Sequence, residues 1–510
     1  VGAAPAEAVD AGAAGQPRTG SIRPGRGAAV SAGRLLPVLA CLGALLAGCT
    51  VGPDYRRPEL EIPAAYRLDT PATAAAEDLD WWGGFEDPVL DRLVRIALHN
   101  NRDVRIAAAR VEEFEARLTG ARAGLFPSVG YNANRARQQV TEVGPQPLPR
   151  GVNSQASAGT VLASASWELD LWGRIRRATE AARADLLANR EARRGVVLSL
   201  VAEVARGYVQ LLNLDAQIDI TRRTLEVRAE SVKVFQQRFA GGVISEVELS
   251  QVLAEYEAAA ARLPDLEQAQ AQQENALSFL LGGNPGPIAR GRSLGTLMLP
   301  PVPGGLPASL LERRPDLRKA EQDLIAANAR IGAARARYFP TVSLTGSLGS
   351  SSAALSDLFS GPASVWSFGA GMTGPIFDAG LIGSNVRQAE AQRTQLLSSY
   401  EKAVQQAFRE VNDALVATAK TRERLQAQAR QVQALERYYE LAQARYEGGY
   451  SSYLEALDAV RGLFSGQLAE AQARADVVNA LASLYRALGG GWVSRAEQMA
   501  DAPPRGAAPQ

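Results

Sequence analysis

Apolar residues recur along this chain at alternating intervals of three and four. One series runs from Leu397 through Tyr400, Val404, Ala407, Val411, Ala414, Thr418, Thr421, Leu425, Gln428, Val432, Leu435, Tyr439 and Ala442 to Tyr446, and twelve of its fifteen positions are apolar. The same phase appears 207 residues earlier, from Leu200 through Val204, Gly207, Leu211, Leu214, Ile218, Leu225, Val232 and Phe235 to Phe239, with Thr221 and Arg228 as exceptions. A period of about 3.5 residues sustained this far predicts helices packed as coiled coils. Between Arg174 and Phe239 it predicts a rod of ~100 Å, too long for a compact globule.

The chain is written twice. Arg102–Val129 aligns without gaps on Pro315–Val342, with Asp103/Asp316, Arg117/Arg330, Phe126/Phe339 and Pro127/Pro340 matching. Farther on the offset falls from 213 to 207 and stays there: Arg238–Gly242 matches Arg445–Gly449, and Leu281-Gly282-Gly283 matches Leu488-Gly489-Gly490. Each copy reads as an amphipathic helix stopped at Phe-Pro, two strand-like stretches, a very long helix, a Gly-Gly turn, and a returning helix of about 35 residues that ends at Gly-Gly. Stacked end to end, the two shorter helices match the long one, the geometry of a tall wall.

The strand candidates are 127–139, 157–171, 340–348 and 365–378, rich in Gly, Ser, Thr and aromatic residues, with patchy alternation. Barrel strands with one face in lipid and one in water carry a weak signal of this kind. Two soluble hairpins packed on the helices carry it equally well. Four strands cannot close a barrel, and an open edge cannot sit in lipid. A membrane role therefore requires several chains around one barrel.

At the N-terminus, Arg34 precedes about a dozen apolar residues and then Leu46-Ala47-Gly48-Cys49, a secretory signal too short to span a bilayer permanently. The last four residues resemble a bacterial lipobox, which implies cleavage before Cys49 and acylation of its thiol. Thr50 follows where an inner-membrane retention signal would place Asp. Residues 1–33 are rich in Gly, Ala, Pro and Arg and are expected to be disordered, with Val30 a candidate translation start. The expected organisation is a signal peptide (1–48), a lipidated extended segment (49–86), a first repeat (87–283), a Pro/Gly-rich linker (284–314), a second repeat (315–492) and a flexible tail (493–510).

Composition removes other classes of function. Lys and Arg number 55 against 54 Asp and Glu, so no net charge calls for nucleic acid. One histidine, His99, and two cysteines, one of them in the discarded signal, cannot build a zinc site. No nucleophile–base pair or phosphate loop supports an enzyme, and the Gly-Gly pairs end helices where a phosphate loop would open one. No metal, cofactor or catalytic residue is expected.

Several motifs, taken in order, resemble one family. Trp81-Trp82-Gly83-Gly84-Phe85-Glu86-Asp87-Pro88 looks like its opening motif. Leu306-Pro307 with Leu310-Leu311-Glu312-Arg313-Arg314-Pro315-Asp316 looks like its inter-repeat signature. Arg445-Tyr446, Leu457-Asp458-Ala459 and Leu488-Gly489-Gly490-Gly491-Trp492 look like its closing motifs. With the lipobox, they are similar to the outer membrane factor (TolC-like) group in its NodT/OprM-like efflux lipoprotein branch.

The resemblance implies a mainly α chain with membrane β: a homotrimer with a periplasmic α-barrel of long antiparallel coiled-coil helices and a twelve-stranded β-barrel, four strands from each protomer. A mixed equatorial domain, from 49–100, 284–314 and the tail, would belt the middle. The implied role is the outer-membrane exit duct of a tripartite efflux system, joined to an inner-membrane pump of RND type through a periplasmic membrane-fusion adaptor, with outer membrane lipids around the barrel. A type I protein secretion duct is the alternative within the family, and a periplasmic adaptor or scaffold lipoprotein the alternative outside it.

The turns Gly241-Gly242 and Gly448-Gly449 lie at the ends of the hairpins away from the strands. They are helix reversals first; the resemblance adds adaptor docking beside them, through Arg238, Val243, Ser245, Arg445, Tyr450 and Ser452. Leu454, Asp458 and Arg461 share one helical face at i, i+4 and i+7. Either they make a solvated surface ion pair, or, as the resemblance implies, they line a periplasmic gate. The first repeat has Val247, Gln251 and Ala254 there, so three gate contacts per trimer are expected and not six.

Overall fold

A computed structural model describes residues 50–68, 80–141, 143, 145, 149, 151–300, 309–489 and 492–501 of the chain. All belong to the second of its two units, Cys49–Gln510. Cys49 and the signal segment lie outside the described residues.

The duplication read from the sequence is the organising feature. Repeat one comprises α1 (Pro88–Asn100), α2 (Arg102–Ala123), β1 (Ser128–Gln139), β2 (Gln155–Leu169), α3 (Arg174–Ala240) and α4 (Glu246–Leu280). Repeat two comprises α5 (Pro315–Arg335), β3 (Thr341–Ser352), β4 (Ser364–Thr373), α6 (Leu381–Glu447) and α7 (Tyr453–Ala487). The long helices each have 67 residues and the returning helices 35, with ends that coincide under the offset of 207. The correspondence reaches side chains. Asn101 Nδ2 donates to the Leu280 carbonyl at 2.9 Å, and Arg314 Nη1 at the matching position donates to the Ala487 carbonyl at 2.8 Å. Both contacts cap a returning helix with the start of its own repeat, satisfying a carbonyl that helix geometry leaves unpaired.

The four strands form one antiparallel sheet in the order β1-β2-β3-β4, leaving the outer edges of β1 and β4 unpaired. Its register sorts most side chains by polarity, with Leu162 and Val365 as apolar exceptions on the polar face. One face carries Val129, Tyr131 and Ala133, then Val161, Ala163, Ala165 and Trp167, then Val342, Leu344 and Leu348, then Trp366, Phe368 and Met372. The other carries Ser128, Asn132 and Asn134, then Thr160, Ser164 and Ser166, then Thr341, Ser343, Thr345 and Ser347, then Ser367 and Thr373. The apolar face is open: Tyr131 is 89% exposed, Phe368 81% and Trp366 68%. β1 and β4 are exposed along their whole length, so the hairpins do not pack on the helices. Small residues dilute the alternation, which is why the sequence left two readings open.

The main core lies where α3 passes α1. Trp81, Trp82 and Phe85, from the turn before α1, join Tyr485 and Trp492 in one aromatic cluster; Trp81 stacks on Tyr485 with centroids 5.1 Å apart. Asp87 is the buried node beneath it. Its carboxylate caps α1 through the Val89 amide (2.8 Å) and accepts from the Tyr208 hydroxyl (2.9 Å) and the Arg292 amide (2.9 Å). The opening motif thus ties a long helix, the turn before α1 and the inter-repeat linker together. The tail differs from expectation. Residues 493–501 form a further helix, α8 (Val493–Asp501), because Val493 and Ala496 give it an apolar stripe that buries in this core.

Candidate functional site

The ends of the hairpins farthest from the sheet bring the sequence-predicted residues together. Each long helix closes through the same three bonds: Gly241 to Gln237, Gly242 to Phe239 and Val243 to Arg238, matched by Gly448 to Ala444, Gly449 to Tyr446 and Tyr450 to Arg445. This pattern needs a left-handed residue, and Gly242 (φ +72°) and Gly449 (φ +75°) supply it. Ser245 and Glu248 form a reciprocal capping box at the start of α4. Ser452 is the N-cap of α7, and Arg445 pairs with Glu455 at 3.3 Å.

The two turns expose matching apolar residues. Val243 and Tyr450 are 74% and 82% exposed, and one turn into the returning helices Val247 and Leu454 are exposed as well. Arg238 joins the two repeats: it donates to the Tyr446 hydroxyl and lies 5.6 Å from that ring and 5.9 Å from Phe235. Phe235, Tyr446 and Tyr453 pack beside it, with Phe235 and Tyr453 centroids 4.2 Å apart.

Leu454, Asp458 and Arg461 all lie on the exposed face of α7. Asp458 accepts from the Tyr438 hydroxyl at 3.5 Å. Arg461 does not pair with Asp458. Its Nε donates to Glu255 on α4, in the other repeat, at 3.0 Å. Glu255 also meets Arg228 of α3 at 3.3 Å. Arg228 is buried, its Nη1 donates to the Glu255 carbonyl, and its guanidinium lies 5.3 Å from the Phe464 ring of α7. Burial lowers its pKa below the ordinary arginine value. A cavity of about 430 Å³ separates the hairpins here, lined by Arg228, Phe235, Glu255, Tyr446 and Tyr453.

Sequence reasoning missed Glu255 and the use of Arg228. Arg228 had left a trace as a charge in an apolar register; Glu255 had left none, because its match in the second repeat is Gly462. Arg461 is in turn matched by Ala254. The bridge therefore occurs once per chain.

Comparison with known proteins places this geometry. The family model for the outer membrane efflux protein matches residues 93–283 and 306–490. The toluene efflux pump outer membrane protein TtgC of Pseudomonas putida is 39% identical over 467 residues, spanning 90% of this chain and 96% of the relative. The antibiotic efflux pump outer membrane protein ArpC of Pseudomonas putida shows the same identity and coverage. Among solved structures, the open state of the Neisseria gonorrhoeae MtrE outer membrane channel is 33% identical with a TM-score of 0.79, spanning 87% of this chain and 99% of MtrE. The fold is that of TolC-like outer membrane channels, and the chain belongs to the outer membrane efflux protein family.

Proposed function

We propose that three copies of this chain enclose one continuous duct, anchored by an acylated Cys49, through which an inner-membrane pump of RND type discharges small organic molecules delivered across a periplasmic adaptor. The observation that carries this reading is the sheet. It has an open apolar face, an opposite face of small polar residues and two unpaired edges. Such a sheet meets lipid on the first face and water on the second only when its edges are closed by further strands. Three copies give the twelve strands that the family resemblance implies.

The duplication supplies a template for the junction between copies. Within one chain, Ala163 of β2 opposes Leu348 of β3 and Val161 opposes Ser350. The matching residues are Ala370 with Arg135 and Phe368 with Arg137, which sets the register of β4 against β1 of the next copy. Among the helices, Asn213 of α3 donates to Gln472 of α7 at 2.8 Å. The matching positions are Lys420 of α6 and Asp265 of α4 in the next copy, an opposite-charge pair. Both are exposed in the single chain.

The remaining assignments follow from the two ends of the hairpins. Arg238, Gly241, Gly242, Val243 and Ser245, with Arg445, Gly448, Gly449, Tyr450 and Ser452, form the surface on which adaptor tips dock, and the matched apolar pair Val243/Tyr450 offers six equivalent footholds per trimer. Leu454, Asp458 and Arg461 line the periplasmic gate, and Glu255 is the latch that holds Arg461. The linker 284–314 and the chain around Trp81–Asp87 belong to an equatorial belt. The chain itself performs no covalent chemistry. Relatives named for toluene and antibiotic efflux favour small molecules over secreted proteins as cargo.

Cysteines replacing Lys420 and Asp265 test the assembly. Oxidation is expected to give a covalent trimer that still conducts in planar bilayers. Covalent dimers alone, or a protein without conductance, would overturn the reading.

A further inference from the structure

Within the four strands only three residues carry charge: Arg135 and Arg137 on β1, and Glu168 on β2. Glu168 lies on the polar face at the end nearest the helices, where Arg174 holds it at 2.7 Å. The two arginines lie elsewhere in both respects. They continue the row Val129, Tyr131, Ala133, so they point out of the apolar face, and they stand at the far end of β1. At their level that face turns polar: Arg135 opposes Gly159, Arg137 opposes Ser157, and Gly159 opposes Ser352. Within the chain, Trp366 and Phe368, stacked with centroids 5.7 Å apart, lie in the rows of Tyr131 and Val129; the junction register proposed above brings Phe368 of the adjoining copy opposite Arg137.

An outward arginine is costly in the middle of a bilayer and cheap where it reaches the headgroups, and aromatic residues gather at that boundary. Arg137 spends one donor on the Gln155 side chain, at 2.6 Å. The rest of its fork and all of Arg135 face outward. No carboxylate within the strands lies near them; within one chain Asp357, in the β3–β4 turn, is beyond β2, and its carboxylate accepts from the Ser356 hydroxyl. Two planar, permanently charged forks on alternate residues stand ~7 Å apart along the strand. They suit a ligand that presents phosphate oxygens beside an acyl chain.

We propose that Arg135 and Arg137 bind the phosphate groups of lipids in the outer leaflet, fixing the barrel's depth in the membrane. The proposal rests on the reading that the apolar face meets lipid. It assigns to β1 a lipid site separate from the anchor proposed at Cys49.

The test uses the full-length trimer with both arginines changed to alanine, or both to lysine, and measures retention of lipid A through detergent washing. Phosphatidylcholine vesicles and free inorganic phosphate serve as the other arms. Retention of lipid A is expected to fall about 30-fold in the alanine variant. The lysine variant should lie between, since it keeps charge and loses the fork. Conductance should be unchanged in both. Equal retention by all three proteins overturns the proposal, and so does displacement of lipid A by millimolar inorganic phosphate. A wild-type protein that neither inserts nor conducts would instead sink the underlying lipid-face reading.

Discussion

The hairpins of this protein end in Gly-Gly turns at both extremities, and the two kinds of turn differ in everything but their backbone. At the far tips Gly242 and Gly449 adopt φ near +72° and +75°, and nothing lies within 4 Å of where a Cβ would stand. At the equator Gly282 and Gly489 adopt φ of +73° and +74°, yet a Cβ on Gly282 would fall 2.7 Å from the Asn100 carbonyl carbon, and one on Gly489 would fall 2.9 Å from Arg314 Cα. One local conformation thus serves two purposes. At the equator it lets the returning helix press against the start of its own repeat. At the tip it reverses the chain and leaves the surface free for contact.

The largest effect should come from breaking the equatorial turn. Gly282→Ala combines an unfavourable φ with a backbone clash and is expected to cost about 4–5 kcal/mol, seen as loss of the folded trimer on heating. Gly242→Ala is the paired control, described last.

Next comes the bridge between repeats. Glu255→Gln removes the charge that meets both Arg228 and Arg461. Arg228 is buried, so loss of its partner should matter more than loss of an exposed pair. Raised basal conductance in bilayers is the expected outcome, with Arg461→Ala giving a smaller rise, at most about fivefold because that side chain is largely exposed. Unchanged conductance in both would remove the latch from the gate.

A smaller effect is expected at the junction between copies. Lys420→Asp and Asp265→Lys should each lower the melting temperature of the trimer by an amount equivalent to about 0.5–1 kcal/mol, and the double exchange should recover most of it. Additive losses in the double variant would argue that the two positions never meet.

The smallest effect is Gly242→Ala, expected to cost about 1–2 kcal/mol from backbone strain alone while leaving the assembled channel intact. A loss as large as that of Gly282→Ala would show that the tip is packed and not free.

Much of this architecture could be read from the residues. Long-period apolar spacing and a repeat whose offset changes only once specified the helices of the two repeats closely, because coiled-coil packing imposes a regular demand on sequence. The contacts that cross between repeats were less legible. Glu255 and Arg461 sit on different copies at positions whose counterparts are Gly462 and Ala254, so the duplication gave no hint that they meet. The sheet was ambiguous for another reason: serine, glycine and alanine contrast too weakly for alternation to stand out until the register fixes which residues share a side. The closing helix Val493–Asp501 was missed because nine residues carry too short a pattern to distinguish docking from disorder.

The inward side of the sheet has one more consequence. In the proposed trimer mostly serine, threonine, glycine, alanine and asparagine line it, with Leu162 and Val365 the larger apolar side chains, and its single carboxylate is already held by Arg174. A traveller along such a corridor finds neither a foothold nor a toll. Choice of passenger must then be made before entry, and grafting this exit onto a different pump should change what leaves the cell without any change in the exit itself.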